Sequence, residues 1–192
     1  MSAMACAPAV IAIGASAGGV AALRDLLSAL PADLPVPVLV VQHLPADRPS
    51  LLAPVLGERC ALPVIEAQDK AGLRSGEVVL APPGYHLLLD DRYTIALSAD
   101  PPVLFSRPAI DPLFESVAGV FGKSALAILL TGASQDGSEG LRAVRAAGGH
   151  AWVQDPADAA VPLMPASALD RAGADAVLTL EQMRHRLAEW PR

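Results

Sequence analysis

Short apolar runs without alternating polar residues, each followed by a helical pattern, are the feature that most constrains this fold. The first run covers residues 9–13 and leads through a Gly/Ser-rich turn to apolar residues at helical spacing that end at Pro31. A second run, 36–41, ends in Gln42 and His43. Continuous apolar runs of this length are typical of parallel strands that are covered on both faces. The first third of the chain is therefore predicted to be strand, tight turn, helix, strand.

The same alternation resumes after residue 110. Asp111 and Pro112 are predicted to cap and begin a helix that runs to Phe121. Strands predicted at 126–131 and 150–154 then alternate with helices. This order predicts an α/β fold, a doubly wound and mostly parallel sheet with helices on both faces, in which ligands bind beyond the carboxyl ends of the strands.

The middle third of the chain differs in pattern. Its apolar runs at 76–81, 85–89 and 93–97 are short, and Pro82-Pro83-Gly84 and Asp90-Asp91-Arg92 between them are turn sequences. We expect a short antiparallel insertion or edge here.

Length and composition narrow the class of protein. A chain of 192 residues with 53% hydrophobic residues is predicted to be a single domain, 1–192, with one large core. Its net charge of −6 and its scattered Lys and Arg argue against nucleic acid as a ligand. Cys6 and Cys60 form no disulfide or zinc pattern, which favours a cytoplasmic location. The uncharged start of the chain lacks a basic region and is broken by Gly and Ser, so neither a signal peptide nor membrane insertion is predicted.

Three residues of a hydrolytic triad stand at predicted strand ends: Ser16, His43 and Asp136. Ser16 lies in a Gly-x-Ser-x-Gly turn between a strand and a helix, the context in which such a serine is exposed as a nucleophile. A neutral His43 is suited to accept its proton, and the Asp136 carboxylate to orient the imidazole. The sequence therefore predicts nucleophilic catalysis at the carboxyl edge of the sheet.

Other interpretations of these residues remain open. The glycine turn at 14–19 resembles a dinucleotide cradle, although that use requires an acidic residue where Gln42 and His43 stand. A single histidine at a strand end is commonly structural, and Asp before Gly is commonly a turn residue. His86 lies in a Pro/Gly turn and is interpreted as a local structural or rim residue. The histidines show no metal-ligand spacing, so no metal and no cofactor are predicted.

Six segments together resemble a known family, the catalytic domain of the chemotaxis protein-glutamate methylesterases (CheB type). The resemblance covers about residues 9–187 and implies the doubly wound α/β fold and the triad order Ser, His, Asp. The segments are Ile13-Gly-Ala-Ser-Ala-Gly-Gly19, Val41-Gln-His-Leu-Pro45, Ala81-Pro-Pro-Gly-Tyr-His86, Ser106-Arg-Pro-Ala-Ile-Asp-Pro-Leu-Phe114, Leu129-Leu-Thr-Gly-Ala-Ser-Gln-Asp-Gly137 and Met164-Pro165.

The resemblance implies hydrolysis of glutamate γ-methyl esters on the helical cytoplasmic domain of a chemoreceptor, and deamidation of glutamine at such sites. Ser16 would be the nucleophile, His43 the general base and Asp136 the orienting acid. The backbone N–H groups of Ala17 and Ala133 would bind the oxyanion. Candidate residues of the substrate cleft are Arg107, Ser134 and Met164.

The sequence departs from the family in three ways, one of which is Ala17 at a position where the family often has threonine. The receiver domain that usually regulates the family is not recognisable here, so control by a separate regulator is expected. The loop Thr131-Gly-Ala-Ser134 replaces the family's Thr-Gly-Met-Gly and changes a large side chain beside the oxyanion site. Three hypotheses follow: a methylesterase, a receptor-docking or scaffolding module in which this loop has weakened catalysis, and a nucleotide-binding domain.

Overall fold

A computed structural model describes residues 8–45 and 49–190, and Cys6 lies outside the described residues. The strands are β1 (Val10–Ala15), β2 (Val38–Gln42), β3 (Val64–Glu66), β4 (Val78–Leu80), β5 (His86–Leu89), β6 (Ile95–Ser98), β7 (Ala125–Leu129), β8 (His150–Gln154) and β9 (Ala176–Leu178). The helices are α1 (Gly19–Leu27), α2 (Leu52–Gly57), α3 (Ile110–Phe121), α4 (Ser138–Ala146), α5 (Leu163–Arg171) and α6 (Leu180–Ala188). Within the described ranges, no helix is both long enough and apolar enough to cross a membrane.

Seven parallel strands form the main sheet in the order β3-β4-β2-β1-β7-β8-β9. From β1 the chain first adds strands on one side and then crosses to β7 and adds strands on the other. The crevice between the carboxyl ends of β1 and β7 is therefore the topological switch point, where this class of sheet binds its ligands. The predicted doubly wound, mostly parallel sheet is confirmed.

The two faces of the sheet carry separate hydrophobic clusters. Along β1, Val10 and Ala12 pack on the face covered by α3, α4, α5 and the β5–β6 hairpin, whereas Ile11 and Ile13 pack on the face covered by α1, α2 and α6. Because successive side chains of a strand point to opposite faces, a strand without polar residues buries both. The predicted helices on both faces are confirmed.

The predicted antiparallel insertion is confirmed in part of the middle third. β5 and β6 form an antiparallel pair outside the main sheet. The run predicted at 76–81 was grouped with them, and this was wrong: β4 lies inside the main sheet, parallel to both β2 and β3. All three residues of β4 are buried, as expected of a central strand.

The start of α3 also differs from the prediction. Ala109 is the N-cap, and Asp111 lies in the first turn instead of capping the helix. Its carboxylate accepts the backbone N–H of Gly140 at 2.7 Å, so it joins α3 to α4. The two helices are in close contact there, since a Cβ on Gly140 would stand 2.5 Å from the Cβ of Phe114. The Asp111 side chain, which the local sequence predicted to cap α3, therefore makes a tertiary hydrogen bond to α4 instead.

Candidate active site

The strand register brings Ser16 and His43 together. β1 ends at Ala15 and β2 at Gln42, and these two residues are paired across the parallel ladder. The next backbone N–H along β2, that of His43, donates to the carbonyl of Ala15 at 3.1 Å. Ser16 and His43 therefore leave the sheet side by side at its carboxyl edge.

Two hydrogen bonds join the three predicted catalytic side chains. The hydroxyl of Ser16 lies 3.1 Å from Nδ1 of His43, and Nε2 of His43 lies 2.7 Å from Oδ2 of Asp136. A carboxylate only accepts, so these partners place the proton on Nε2 and leave the lone pair of Nδ1 to receive the Ser16 proton. The order serine, imidazole, carboxylate is that of a hydrolytic triad, with Nδ1 instead of Nε2 facing the serine.

Asp136 is completely buried and richly hydrogen-bonded. Besides His43, its carboxylate accepts the backbone N–H groups of Ile110 at 2.6 Å, Asp111 at 2.9 Å and Gly137 at 2.9 Å. Burial alone raises its pKa, but the bond from His43 and those from the start of α3 outweigh burial and hold the pKa below the ordinary range. Asp136 is thus kept ionised at the position where it orients His43.

Asp111, directly beside Asp136, has the opposite shift. Burial raises its pKa to about 7, and the negative charges of Asp136 and Glu115 act in the same direction, while the Gly140 N–H opposes them. When the pKa values of two neighbouring carboxyl groups are shifted in opposite directions, one group is held as an anion and the other as a neutral acid. The only carboxylate that contacts His43 among the described residues is the anion.

His86 holds the segment that binds Asp136. It is buried, its Nδ1 accepts the N–H of Ala109 at 3.2 Å, and its Nε2 donates to the carbonyl of Pro101 at 3.2 Å. The next two N–H groups, of Ile110 and Asp111, bind Asp136. The interpretation of His86 as a local structural residue is confirmed, and its position is interior instead of on the rim.

Two supporting residues were missed by sequence reasoning. Nε2 of Gln42 donates to the carbonyls of Ser16 at 2.9 Å and His43 at 3.1 Å, so one side chain holds the backbone at both residues. The hydroxyl of Thr131 donates to the carbonyl of Ala17 at 2.9 Å and accepts the N–H of Val161 at 2.8 Å. The available signal was a polar residue directly after an apolar run, which marks a buried polar group that needs a specific partner.

The two backbone groups predicted to bind an oxyanion flank Ser16. Ala17 follows it, and Ala133 follows Gly132, where an added Cβ would stand 2.8 Å from the Cβ of Ser16. Both alanines are exposed, and within the described part of the chain neither N–H group donates to an acceptor. Free N–H groups beside a nucleophile are the arrangement that stabilises a developing oxyanion.

The three predicted cleft residues take different positions. Arg107 is half-buried and donates to the carbonyls of Ala99 at 2.8 Å and Asp100 at 3.1 Å. The Ser134 hydroxyl accepts the N–H of Asp136 at 3.1 Å. Met164 is fully buried against Gly132. All three shape loops around the triad, and Met164 does so from below the surface.

An apolar groove of about 270 Å³ lies at the carboxyl edge of the sheet, and its lining includes Leu44, which directly follows His43. The rest of the lining comes from Val20, Pro45, Val55, Pro83 and residues 49–52. Within the described ranges, no group of three or more His, Cys, Asp or Glu side chains is placed to hold a metal. The pKa of Cys60 is raised by burial, so its thiol is a poor nucleophile.

Comparisons with known proteins agree on one family. A family model described as CheB methylesterase matches residues 11–187. A Leptospira interrogans protein named "Putative protein-glutamate methylesterase/protein-glutamine glutaminase" is 40% identical over 173 residues, 90% of this chain and 90% of that protein. A Maricaulis maris protein-glutamate methylesterase/protein-glutamine glutaminase is 41% identical over 92% of this chain, which spans 45% of that protein. The crystal structure of the Thermotoga maritima CheB methylesterase catalytic domain aligns with a TM-score of 0.90 and 30% identity, over 96% of this chain and 99% of that one.

Proposed function

Because this chain belongs to the CheB methylesterase family, we propose that it is a serine hydrolase that demethylates glutamate γ-methyl esters on the cytoplasmic domain of a chemoreceptor. The observation that carries the proposal is the pair of hydrogen bonds from Ser16 to His43 and from His43 to Asp136. The names of the relatives support the substrate class, and they also support deamidation of glutamine.

In the first half of the reaction, Oγ of Ser16 attacks the ester carbonyl carbon and its proton moves to Nδ1 of His43. Asp136 stabilises the resulting imidazolium through Nε2 and stays ionised. The N–H groups of Ala17 and Ala133 bind the negative oxygen of the tetrahedral intermediate. When the bond to the methoxy group breaks, His43 returns the proton to that oxygen, so methanol leaves and a glutamyl ester of Ser16 remains.

The second half reverses these roles with water as the nucleophile. His43 takes a proton from water at Nδ1 while the water oxygen attacks the acyl carbon. The bond to Oγ of Ser16 then breaks, and the proton returns to Oγ. The products are free Ser16 and a glutamic acid side chain, which releases its proton to the solvent and becomes the carboxylate. With glutamine in place of the ester, the same steps release ammonia.

The remaining expectations belong to the same proposal. We take the chain as a single catalytic domain whose partner is the methylated receptor. A separate regulator in place of a receiver domain stays a prediction. Ser134 and Met164 are assigned to shaping the loop that leads to Asp136, because Ser134 bonds to its N–H and Met164 packs on Gly132. Arg107 is assigned to holding the segment that follows Ser106, through its bonds to the carbonyls of Ala99 and Asp100.

Methanol release from a methylated chemoreceptor fragment tests the proposal. The wild-type chain is expected to release methanol, and Ser16→Ala to lose at least about 10⁴-fold in kcat, since a triad without its nucleophile retains little activity. Ser28→Ala is the matched control, because Ser28 is half-buried directly after α1 and, among the described residues, its hydroxyl bonds only to the carbonyl of Asp25. Full activity in Ser16→Ala contradicts the triad, and tight receptor binding by a wild-type chain that releases no methanol favours the docking module.

A further inference from the structure

Exposed apolar side chains are concentrated at one edge of this protein. Among the described residues, nine large apolar side chains are exposed. Ile65 and Val177 lie in the outermost strands β3 and β9, and Tyr93 lies in the turn between β5 and β6. The other six lie in loops or first helical turns at the carboxyl edge of the sheet, around the triad, and we call them the apolar rim: Val20, Leu51, Tyr85, Leu104, Phe105 and Leu163. Apolar patches of this kind commonly mark interaction sites.

The most unusual part of the apolar rim is the turn Val103–Ser106. Val103 and Ser106 exchange two backbone hydrogen bonds, of 3.1 and 2.9 Å, around a two-residue loop. Both loop residues have positive φ, +46° at Leu104 and +66° at Phe105. This is the backbone of a type I′ turn, for which Asn-Gly is the favoured pair and bulky residues are unfavourable.

Folding does not explain these two side chains. Phe105 is fully exposed and Leu104 is exposed, so neither contributes much buried apolar area in return for its strained backbone. Strained backbone that is held in place by its surroundings is characteristic of functional sites. The turn therefore points to a contact that Leu104 and Phe105 make with something outside this chain.

The turn is tied directly to the catalytic base. The Ser106 hydroxyl lies 3.4 Å from Nδ1 of His43, the atom that also faces Ser16. On the other side, Arg107 bonds to the carbonyls of Ala99 and Asp100, which fixes the base of this segment. A molecule whose reacting carbon sits at Ser16 therefore lies next to Leu104 and Phe105.

The length of a glutamate side chain limits where its backbone lies. The ester carbon must approach Oγ of Ser16 to about 3 Å, and it is separated from its own Cα by three C–C bonds, about 4 Å. The backbone of the methylated segment thus lies within roughly 7 Å of Oγ. Since Ser16 is only partly exposed, the segment that carries the ester must rest on the surrounding rim.

We propose that the Val103–Ser106 turn is a docking element for the methylated protein, in which Leu104 and Phe105 pack against apolar side chains that flank the glutamyl ester. This inference rests on the proposed function and adds how the protein that carries the ester is recognised. The six side chains of the apolar rim carry no charge, which suits a neutral ester. A glutamate carboxylate held against these six side chains loses hydration and gains no compensating charge from any of them, which favours release of the product.

The double variant Leu104→Asn/Phe105→Gly tests the docking element without disturbing the fold, because Asn-Gly relaxes the same turn. Its kcat/KM for methanol release from a methylated chemoreceptor cytoplasmic fragment is expected to fall at least about tenfold, mainly through KM. Its hydrolysis of p-nitrophenyl acetate, which is too small to reach the rim, is expected to stay within about twofold of wild type. Its thermal unfolding midpoint is expected to equal or exceed that of wild type.

Tyr93→Ala is the matched control, since Tyr93 is an exposed aromatic residue at the opposite edge, and no change is expected on either substrate. An unchanged kcat/KM on the receptor fragment in the double variant overturns the docking element alone. An equal loss on both substrates also overturns it, because the turn would then act on the catalytic groups. If the wild-type chain sediments as a dimer and the double variant as a monomer, the apolar rim is an interface between two copies of the chain, and the docking element is overturned. If the wild-type chain releases no methanol, the proposed function fails and the docking element with it.

Discussion

The two edges of the seven-stranded sheet differ in how their loops satisfy backbone N–H groups. At the amino edge, loops bond to other loops through the backbone: Gly76 N–H donates to the carbonyl of Val36 at 3.2 Å, and Leu73 N–H to that of Tyr93 at 2.7 Å. At the carboxyl edge, consecutive N–H groups at the start of α3 donate to the side chain of Asp136.

This difference implies that the loops of the amino edge contribute mainly to stability, whereas those of the carboxyl edge also position the candidate site. Backbone partners at the amino edge are independent of side-chain identity. At the carboxyl edge, the side chains of Gln42, Thr131 and Asp136 add hydrogen bonds to the backbone ones, so substitutions of these residues are expected to change activity. Substitutions in the loops of the amino edge are expected to change the free energy of unfolding without changing activity.

Among substitutions that test the two edges, Gly132→Ala, at the carboxyl edge, is expected to have the largest effect on activity. The new Cβ would stand 2.6 Å from the end of Met164 and 2.8 Å from the Cβ of Ser16. Met164 is flexible, but the start of the Ser16 side chain is fixed by its backbone, so the Ser16 hydroxyl must shift. A displacement of this kind is expected to lower kcat by about 100-fold, measured as methanol release from the methylated receptor fragment.

The matched substitution at the amino edge is Gly72→Ala. The nearest atom to the new Cβ is the Tyr93 carbonyl oxygen at 3.9 Å, which is ordinary contact, so wild-type kcat is expected. Adding Met164→Ala to Gly132→Ala removes the clash with Met164 but leaves the clash with Ser16, so activity is expected to stay low. Full activity in Gly132→Ala, or an equal loss in Gly72→Ala, contradicts the proposed difference between the edges.

A smaller effect, on the free energy of unfolding, is expected for Asp111→Asn, and this effect depends on pH. Because the pKa of Asp111 is raised to about 7 in the folded chain, the native state keeps a proton that the unfolded chain releases above the ordinary value of 3.8. The unfolded state then binds fewer protons, and stability falls as pH rises between these values. The loss amounts to at most roughly 1.4 kcal/mol per pH unit, and Asp111→Asn is expected to remove it.

Urea unfolding at pH 5 and pH 8 measures this contribution. Between these pH values, the wild-type chain is expected to lose more unfolding free energy than Asp111→Asn. Asp25→Asn, an exposed carboxylate in α1, is the control and is expected to follow wild type. A variant whose pH dependence equals that of wild type would mean that Asp111 is ionised in the folded chain throughout this interval.

The sequence predicted the parts of the site that depend on chain order. Ser16, His43 and Asp136 follow apolar runs, and parallel strands bring their carboxyl ends to one edge, so their meeting followed from the fold class. The strand at 150–154 and the end of α3 before Gly122 also followed from local pattern. Glycine is a common helix stop because it adopts positive φ, and Gly122 has φ +52°.

What the sequence did not predict depends on contacts between distant segments. Asp111 has the sequence context of a helix cap, and only the close contact between α3 and α4 turns its carboxylate toward Gly140. β4 is bounded by turn residues like the hairpin strands, and its parallel pairing depends on β2 and β3. The strained conformation of Leu104 and Phe105 has no local signal, since neither residue favours positive φ.

The central claim is that Ser16 is a nucleophile activated by His43. Labelling with a fluorophosphonate, followed by mapping of the modified peptide by mass spectrometry, tests it most directly. The label is expected on Ser16 in the wild-type chain and is expected to be reduced at least about 100-fold in His43→Ala. Label on another residue, or equal labelling of Ser16 in both chains, would contradict the triad.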